Sequence, residues 1–197
     1  MELTIVLIRG GLTRSGQTGI LSGAPEESLL QQSADGIMQR ALGGVYPAVE
    51  FVYSSPAKCC IETAQLIYPP PILARATSEL RAYDYGIYNH MTARRIKKDK
   101  QFPDWAASAG AAAFPGGESY AELSARIHMA FRKIINMMLS EGFAVVGIVT
   151  HRLVISAILQ KIYAPRRSYA DWKAQNGGGY SISFNSGTNT GFVKDFF

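Results

Sequence analysis

Two places in the chain put a polar group directly after a buried run. "IVLIRGGLT" (residues 5–13) closes on Arg9, Gly10, Gly11 and Thr13, and "VVGIVTHR" (residues 145–152) closes on His151 and Arg152. The apolar, largely β-branched residues ahead of each read as strands buried on both faces. In open parallel sheets ligands gather beyond the carboxyl ends of the strands, so these tips are where chemistry is expected. A guanidinium offers a rigid fork of donors and an imidazole a switchable proton. Two glycines let a ligand approach a backbone whose loop N–H groups are free. Together they suit a phosphate-sized anion. Alone, Arg9 is equally well explained by a carboxylate partner and His151 as a satisfied core histidine; the repeated strand-end placement favours the anion site.

Known phosphate motifs do not account for the stretch. "RGGLTRSG" lacks the Gly-Lys-Ser/Thr end of a P-loop, and its glycines are not in dinucleotide-fingerprint order.

The elements that must hold these groups alternate. After the first strand, "EESLLQQSADGIMQRALGG" has helical apolar spacing and a glycine stop, "VEFVYSS" is a second strand, and Pro56 is placed to open the helix "AKCCIETAQLIY". Three prolines precede a short strand at "ILA", and "LRAYDYGIYNHM" reads as an aromatic loop at the rim of the site. Residues 118–140 give the clearest helix, with Tyr120, Leu123, Ile127, Phe131, Ile134 and Met138 on a core-facing stripe. "FAVVGIVTH" and "LVISAILQKIY" repeat strand and helix, and "GGYSISFN" and "GFVKDFF" alternate as outer strands do. The pattern predicts one α/β domain over residues 1–197, a three-layer sandwich with a mostly parallel central sheet flanked by helices. There is no internal repeat, and "AASAGAAA" is the one low-complexity tract.

Composition limits the setting. The chain has 197 residues, within single-domain range, and a net charge of +5, which favours anionic partners without naming one. No apolar stretch is long enough to span a bilayer, and "MELTIVLIRG" has no basic leader pattern, so a cytoplasmic protein is expected. The two cysteines, Cys59 and Cys60, are adjacent, which fits a reducing compartment and leaves no cysteine-built zinc site; no cofactor and no metal are expected.

The order "LIRGGLT", "VYSSPAKCCIETA", "LRAYDYG", "PGGESYAEL" and "IVTHR" resembles the histidine phosphatase superfamily, the phosphoglycerate mutase-like clan, over nearly the whole chain. Within it, the spacing and the loop after "DYG" are most similar to the branch of small phosphatases that includes α-ribazole phosphatase. The resemblance implies a site in which a histidine is transiently phosphorylated between two arginines, a second histidine and an acidic proton donor. Matched position by position, Arg9 is the first arginine, Gly11 and Thr13 the motif glycine and threonine, and His151 the second histidine. The family's nucleophile falls at Gly10, its second arginine at Cys59, its acid at Ala82, the glycine after the second histidine at Arg152, and the asparagine after the threonine at Gly16.

Those departures bear on mechanism. Glycine has no nitrogen to attack phosphorus, so no phosphohistidine forms at position 10. Without a carboxyl at Ala82 the leaving oxygen has no general acid, a contribution of roughly 100- to 10,000-fold. The expectation is a catalytically degenerate relative, a pseudoenzyme that binds phosphate or a phosphorylated small molecule through Arg9, Gly11, Thr13, His151 and Arg152. One alternative is a weak phosphomonoesterase or mutase using His151 and water. Cys59 as a nucleophile is disfavoured, since no arginine follows at the spacing of cysteine phosphatases; His90 lies in the rim, and His128 is read as structural. Another alternative takes "TARRIKKDK" (residues 92–100), with five basic residues in nine, as a nucleic-acid or acidic-partner patch. It lacks the interleaved aromatics of a single-strand platform.

Overall fold

The computed structural model of the chain describes residues 2–21, 26–100, 102–103, 112–163, 171–185 and 191–196. Its elements run β1 (Glu2–Arg9), α1 (Arg14–Thr18), β2 (Ile20–Leu21), α2 (Gln31–Leu42), β3 (Phe51–Ser54), α3 (Lys58–Ile67), β4 (Ala74–Ala76), β5 (Met91–Thr92), α4 (Ala93–Ile96), α5 (Tyr120–Glu141), β6 (Val145–Thr150), α6 (Arg152–Tyr163), β7 (Gly179–Asn185) and β8 (Gly191–Phe196). Six strands form one sheet in the order β4-β3-β6-β1-β7-β8, and β2 pairs with β5 in a separate two-stranded piece. The first four of the six are mutually parallel, while β7 and β8 join antiparallel. This is the α/β sandwich with a mostly parallel sheet that the alternation predicts.

Period two in the strands divides the core into two layers. Leu3, Ile5 and Leu7 of β1 point to one face, where they meet Leu123, Ile127, Ile134 and Met138 of α5 and Ile155 and Leu159 of α6. Val6 and Ile8 point to the other, against Ile37 of α2 and Cys60, Ala64 and Ile67 of α3. Because β1 is covered on both faces, Leu3 and the unbroken apolar run Ile5–Ile8 are buried, each large side chain contributing about 1.5–3 kcal/mol. The helix α5 is delimited locally: Ser119 and Glu122 form a capping box, and Gly142 at φ 75° takes the left-handed conformation that ends it.

Several boundaries differ from the sequence reading, each for a tertiary reason. The second helix starts at Gln31, five residues later than its apolar spacing suggests. Leu29 is bridged to Thr13 and donates its N–H to Glu62 Oε2 (2.8 Å), and Leu30 N–H goes to Leu12 O (2.8 Å). Pro56 does not open α3: Ser55 Oγ takes the Ala57 N–H (3.2 Å), holding a turn before the helix begins at Lys58. The strand expected at "ILA" forms over Ala74–Ala76 because its parallel register with β3 pairs Val52 with Ala74 and Ser54 with Ala76. β7 is an inner strand, bonded to β1 on one side and β8 on the other. Tyr120, placed on the core stripe of the long helix, is exposed. Most of "AASAGAAA" lies outside the described residues.

Candidate functional site

The register of two strands builds the site. β1 and β6 pair in parallel from Thr4 with Val145 to Arg9 with Thr150, so both strands end level. Gly10 N–H then donates to Thr150 O (2.8 Å), which sets Gly10 beside His151 at the start of α6. Beyond these ends lies a cavity of about 360 Å³. Arg9, Gly10, Gly11, Thr13 and Gly16 line it from β1 and α1, Cys59 from α3, Ala82 from the rim, and His151 and Arg152 from the β6–α6 junction. Every position matched to the family's motifs therefore opens onto one space.

The loop backbone is not available in the way its glycines suggest. Gly10 N–H is held by Thr150 O, Gly11 N–H by Thr63 Oγ1 (2.9 Å) and Leu12 N–H by Ser33 Oγ (2.8 Å). The expectation of free loop donors is corrected: the amides are already spent on fixing the loop. Gly11 is glycine because a Cβ there would stand 2.7 Å from Ile37 and Leu29 and 2.9 Å from Ser33 Oγ. Thr13 caps α1, its Oγ1 accepting from Gly16 N–H (3.2 Å), and its hydroxyl proton remains to be given. Recognition of an anion falls to side chains.

Electrostatically those side chains make a positive site. One arm of the Arg9 guanidinium donates to Ala174 O (2.9 Å), which aims the group across the cavity mouth. Burial lowers the Arg9 pKa, and the nearby Arg152 charge lowers it further. His151 is pushed down to about 4, first by burial, then by the charges of Arg126 and Arg9, so the ring is neutral at pH 7. Its Nε2 shares a 2.8 Å hydrogen bond with Ser55 Oγ and lies 3.8 Å from Cys60 Sγ. Among the described residues the cavity carries one carboxylate, Glu27, whose Oε1 accepts from Ser15 N–H (2.7 Å).

Some functional neighbours carried no readable signal in the sequence. Arg126, on the buried side of α5, spends all five donors: Nε and Nη2 on the Glu118 carboxylate (2.8 and 2.6 Å), Nη2 also on Ala82 O (3.0 Å), and Nη1 on Glu79 O and Arg81 O (2.7 and 3.1 Å). This buried pair clamps the rim segment that presents Ala82. Asn176 Nδ2 donates to Gly10 O (3.1 Å) and braces the other side. Cys60 is fully buried beside Gly10, where a Cβ would lie 2.9 Å from its Sγ. The neighbouring Cys60 thiol holds Cys59 below its usual pKa, while the Cys59 thiol and then burial raise Cys60. The spacing of "CC" shows adjacency only; which sulfur faces the cavity and which faces the core is decided by α3.

Other candidates lie elsewhere. His90 is exposed, with φ 65° and its N–H on Leu21 O (2.8 Å), and is not part of the cavity lining. His128, read as structural, is exposed on α5. In the basic run, Arg94, Arg95, Lys97, Lys98 and Lys100 all point to solvent around a buried Ile96. Among the described residues there is no metal-binding cluster of three or more His, Cys, Asp or Glu, and no helix long and apolar enough to cross a membrane.

Comparison with known proteins agrees with this architecture. The alpha-ribazole phosphatase of Shigella flexneri superposes with a TM-score of 0.82 at 18% identity, covering 100% of this chain and 96% of that one. The phosphoglycerate mutase of Bacillus anthracis str. Sterne gives 0.82 at 17%, covering 98% and 92%. The phosphoserine phosphatase of Entamoeba histolytica, in complex with 3-phosphoglyceric acid, gives 0.79 at 18%, covering 98% and 96%. At such identities the likeness is one of fold. No curated protein matches by sequence. The sequence profile of the histidine phosphatase superfamily (branch 1) matches residues 5–191, and with that span the chain belongs to the histidine phosphatase superfamily.

Proposed function

We propose that the protein binds phosphate or a phosphorylated small molecule in the Arg9–His151 cavity without forming a phosphohistidine. The observation that carries this reading is the juxtaposition of Arg9, His151 and Arg152 around one cavity whose wall, at the level of the imidazole, is the bare backbone of Gly10. Two guanidinium groups facing a shared space repel each other, and an anion between them relieves that repulsion. Turnover has less support. Gly10 supplies no nucleophile, Ala82 no proton, and a ring titrating near 4 with its Nε2 held by Ser55 is a weak base for activating water.

Calorimetric titration with inorganic phosphate tests the reading. The unaltered protein is expected to give a saturable heat, Arg9→Ala to weaken binding at least tenfold, and Arg9→Lys, which keeps the charge and loses the fork, to fall between them. Absence of any heat from the unaltered protein overturns it. Turnover of p-nitrophenyl phosphate that disappears in His151→Ala would instead favour a weak phosphomonoesterase.

A further inference from the structure

The outer side of the α5–α6 pair carries a groove that shares no residue with the Arg9–His151 cavity. Side chains four apart stack on one face of a helix, and that spacing gives the groove two apolar walls. Ile127, Phe131 and Ile135 stand on α5, and Ile158 and Ile162 on α6. Ile127 and Ile158 are buried, while Phe131, Ile135 and Ile162 keep part of their surface open. The volume is about 180 Å³. An apolar cavity of about 150 Å³ takes a six-carbon ring, so the groove has room for a chain of roughly six to eight carbons.

The rim has one sign of charge. Arg132 of α5 and Lys161 of α6 put an exposed cation on each wall, His128 lies one turn before Arg132, and no acid lines the groove. From residue 123 to 140 of α5, and throughout α6, the sequence contains no Asp or Glu, so neither cation has a carboxylate three or four residues away on its own helix. Among the described residues neither makes an ion pair.

We propose that the groove binds a single-chain anionic amphiphile, a free fatty carboxylate whose chain lies between α5 and α6 and whose head meets Arg132 and Lys161. Charge complementarity selects this occupant. A second copy of the chain docked here about a two-fold axis would set the same cations against each other. A protein partner needs about 800 Å² of surface on each side, far more than a cleft this small provides.

The experiment is calorimetry at fixed ionic strength, below micelle formation, with butanoate, hexanoate, octanoate, 1-octanol and octylammonium. Each added methylene is expected to tighten carboxylate binding by about three- to fourfold. Octanoate is expected to bind about fivefold tighter than 1-octanol or octylammonium, since two exposed charge contacts each contribute modestly. Arg132→Gln combined with Lys161→Gln, both at exposed positions, should bring octanoate to the level of 1-octanol and leave 1-octanol within twofold. Lys98→Gln, outside the groove, and Arg9→Ala should leave octanoate binding unchanged. The proposal fails if octanoate gives no saturable heat, if chain length has no effect, or if 1-octanol binds as well as octanoate. It fails if Lys98→Gln weakens octanoate as much as the double variant, which marks overall charge, or if Arg9→Ala abolishes binding, which places octanoate in the other cavity. A dimer in sedimentation that Ile162→Lys dissociates would show a second copy in the groove, and co-sedimentation with phosphatidylglycerol vesicles without octanoate binding would show a lipid surface there; either result overturns the proposal. The phosphate-binding reading stands or falls separately, on titration with inorganic phosphate.

Discussion

At the scale of single residues, the site turns on a pair. Gly10 has no side chain and Cys60 fills the adjoining space, with its sulfur 2.9 Å from where a Cβ would stand and 3.8 Å from His151 Nε2. The thiol is short and its helix fixed, so it has little room to withdraw. Gly10→His is therefore expected to cost about 1–3 kcal/mol through overpacking, seen as a lowered urea midpoint. Combining it with Cys60→Ala should recover most of that loss, because the two volumes compete for one place. Neither variant is expected to release phosphate from p-nitrophenyl phosphate, since position 82 still has no acid. Full stability of the single variant would show that the sulfur is not the obstacle.

At the scale of elements, the rim is held by one buried ion pair. Arg126 of α5 and Glu118, both largely buried, connect the long helix to three carbonyls of the segment leading into Ala82. Tyr83 adds its hydroxyl to Glu118 O (2.6 Å) and packs edge-on to Phe114. Removing one partner strands the other charge, so Arg126→Met is expected to destabilise the fold by about 3–5 kcal/mol in chemical denaturation. Replacing Glu118 as well, with Arg126→Met and Glu118→Leu together, should cost less than either alone. If the double variant is the worst of the three, the pair is a net stabiliser in its own right. The apolar periodicity of residues 118–140 located this helix; it could not show that an arginine on the same stripe would be buried, because burial of a guanidinium depends on acceptors from other segments.

At the scale of the whole molecule, the neutral His151 couples stability to pH. Its folded pKa, about 4, lies below the ordinary value of 6.5, so between those limits the unfolded chain binds the extra proton. Stability conferred by the neutral ring is complete above pH 6.5 and is lost as pH falls toward 4, by at most about 3 kcal/mol, less whatever solvent reaches the partly accessible ring. His151→Asn should show a flatter stability profile than the unaltered protein across that window, measured by thermal or urea unfolding at stepped pH. Parallel profiles would mean that the ring titrates normally. Saturating phosphate should flatten the unaltered profile as well, since an anion between Arg9 and His151 offsets the charges that depress the ring.

Legible in the chain itself were the strands, the helices that alternate with them, and the two tips where Arg9 and His151 stand, because hydrophobic period and glycine stops are local properties. The family was legible too, from motifs spread across nearly the full length. Which loop amides remain free, which cysteine faces the cavity, and that Arg126 and Ser55 belong to the site's surroundings were decided by the tertiary structure. These depend on strand register and on segments brought from 52 to 165 residues away, as in the contacts of Gly11 with Thr63 and Arg9 with Ala174. A local pattern specifies an element, but a donor is free or engaged only once its neighbours in space are known.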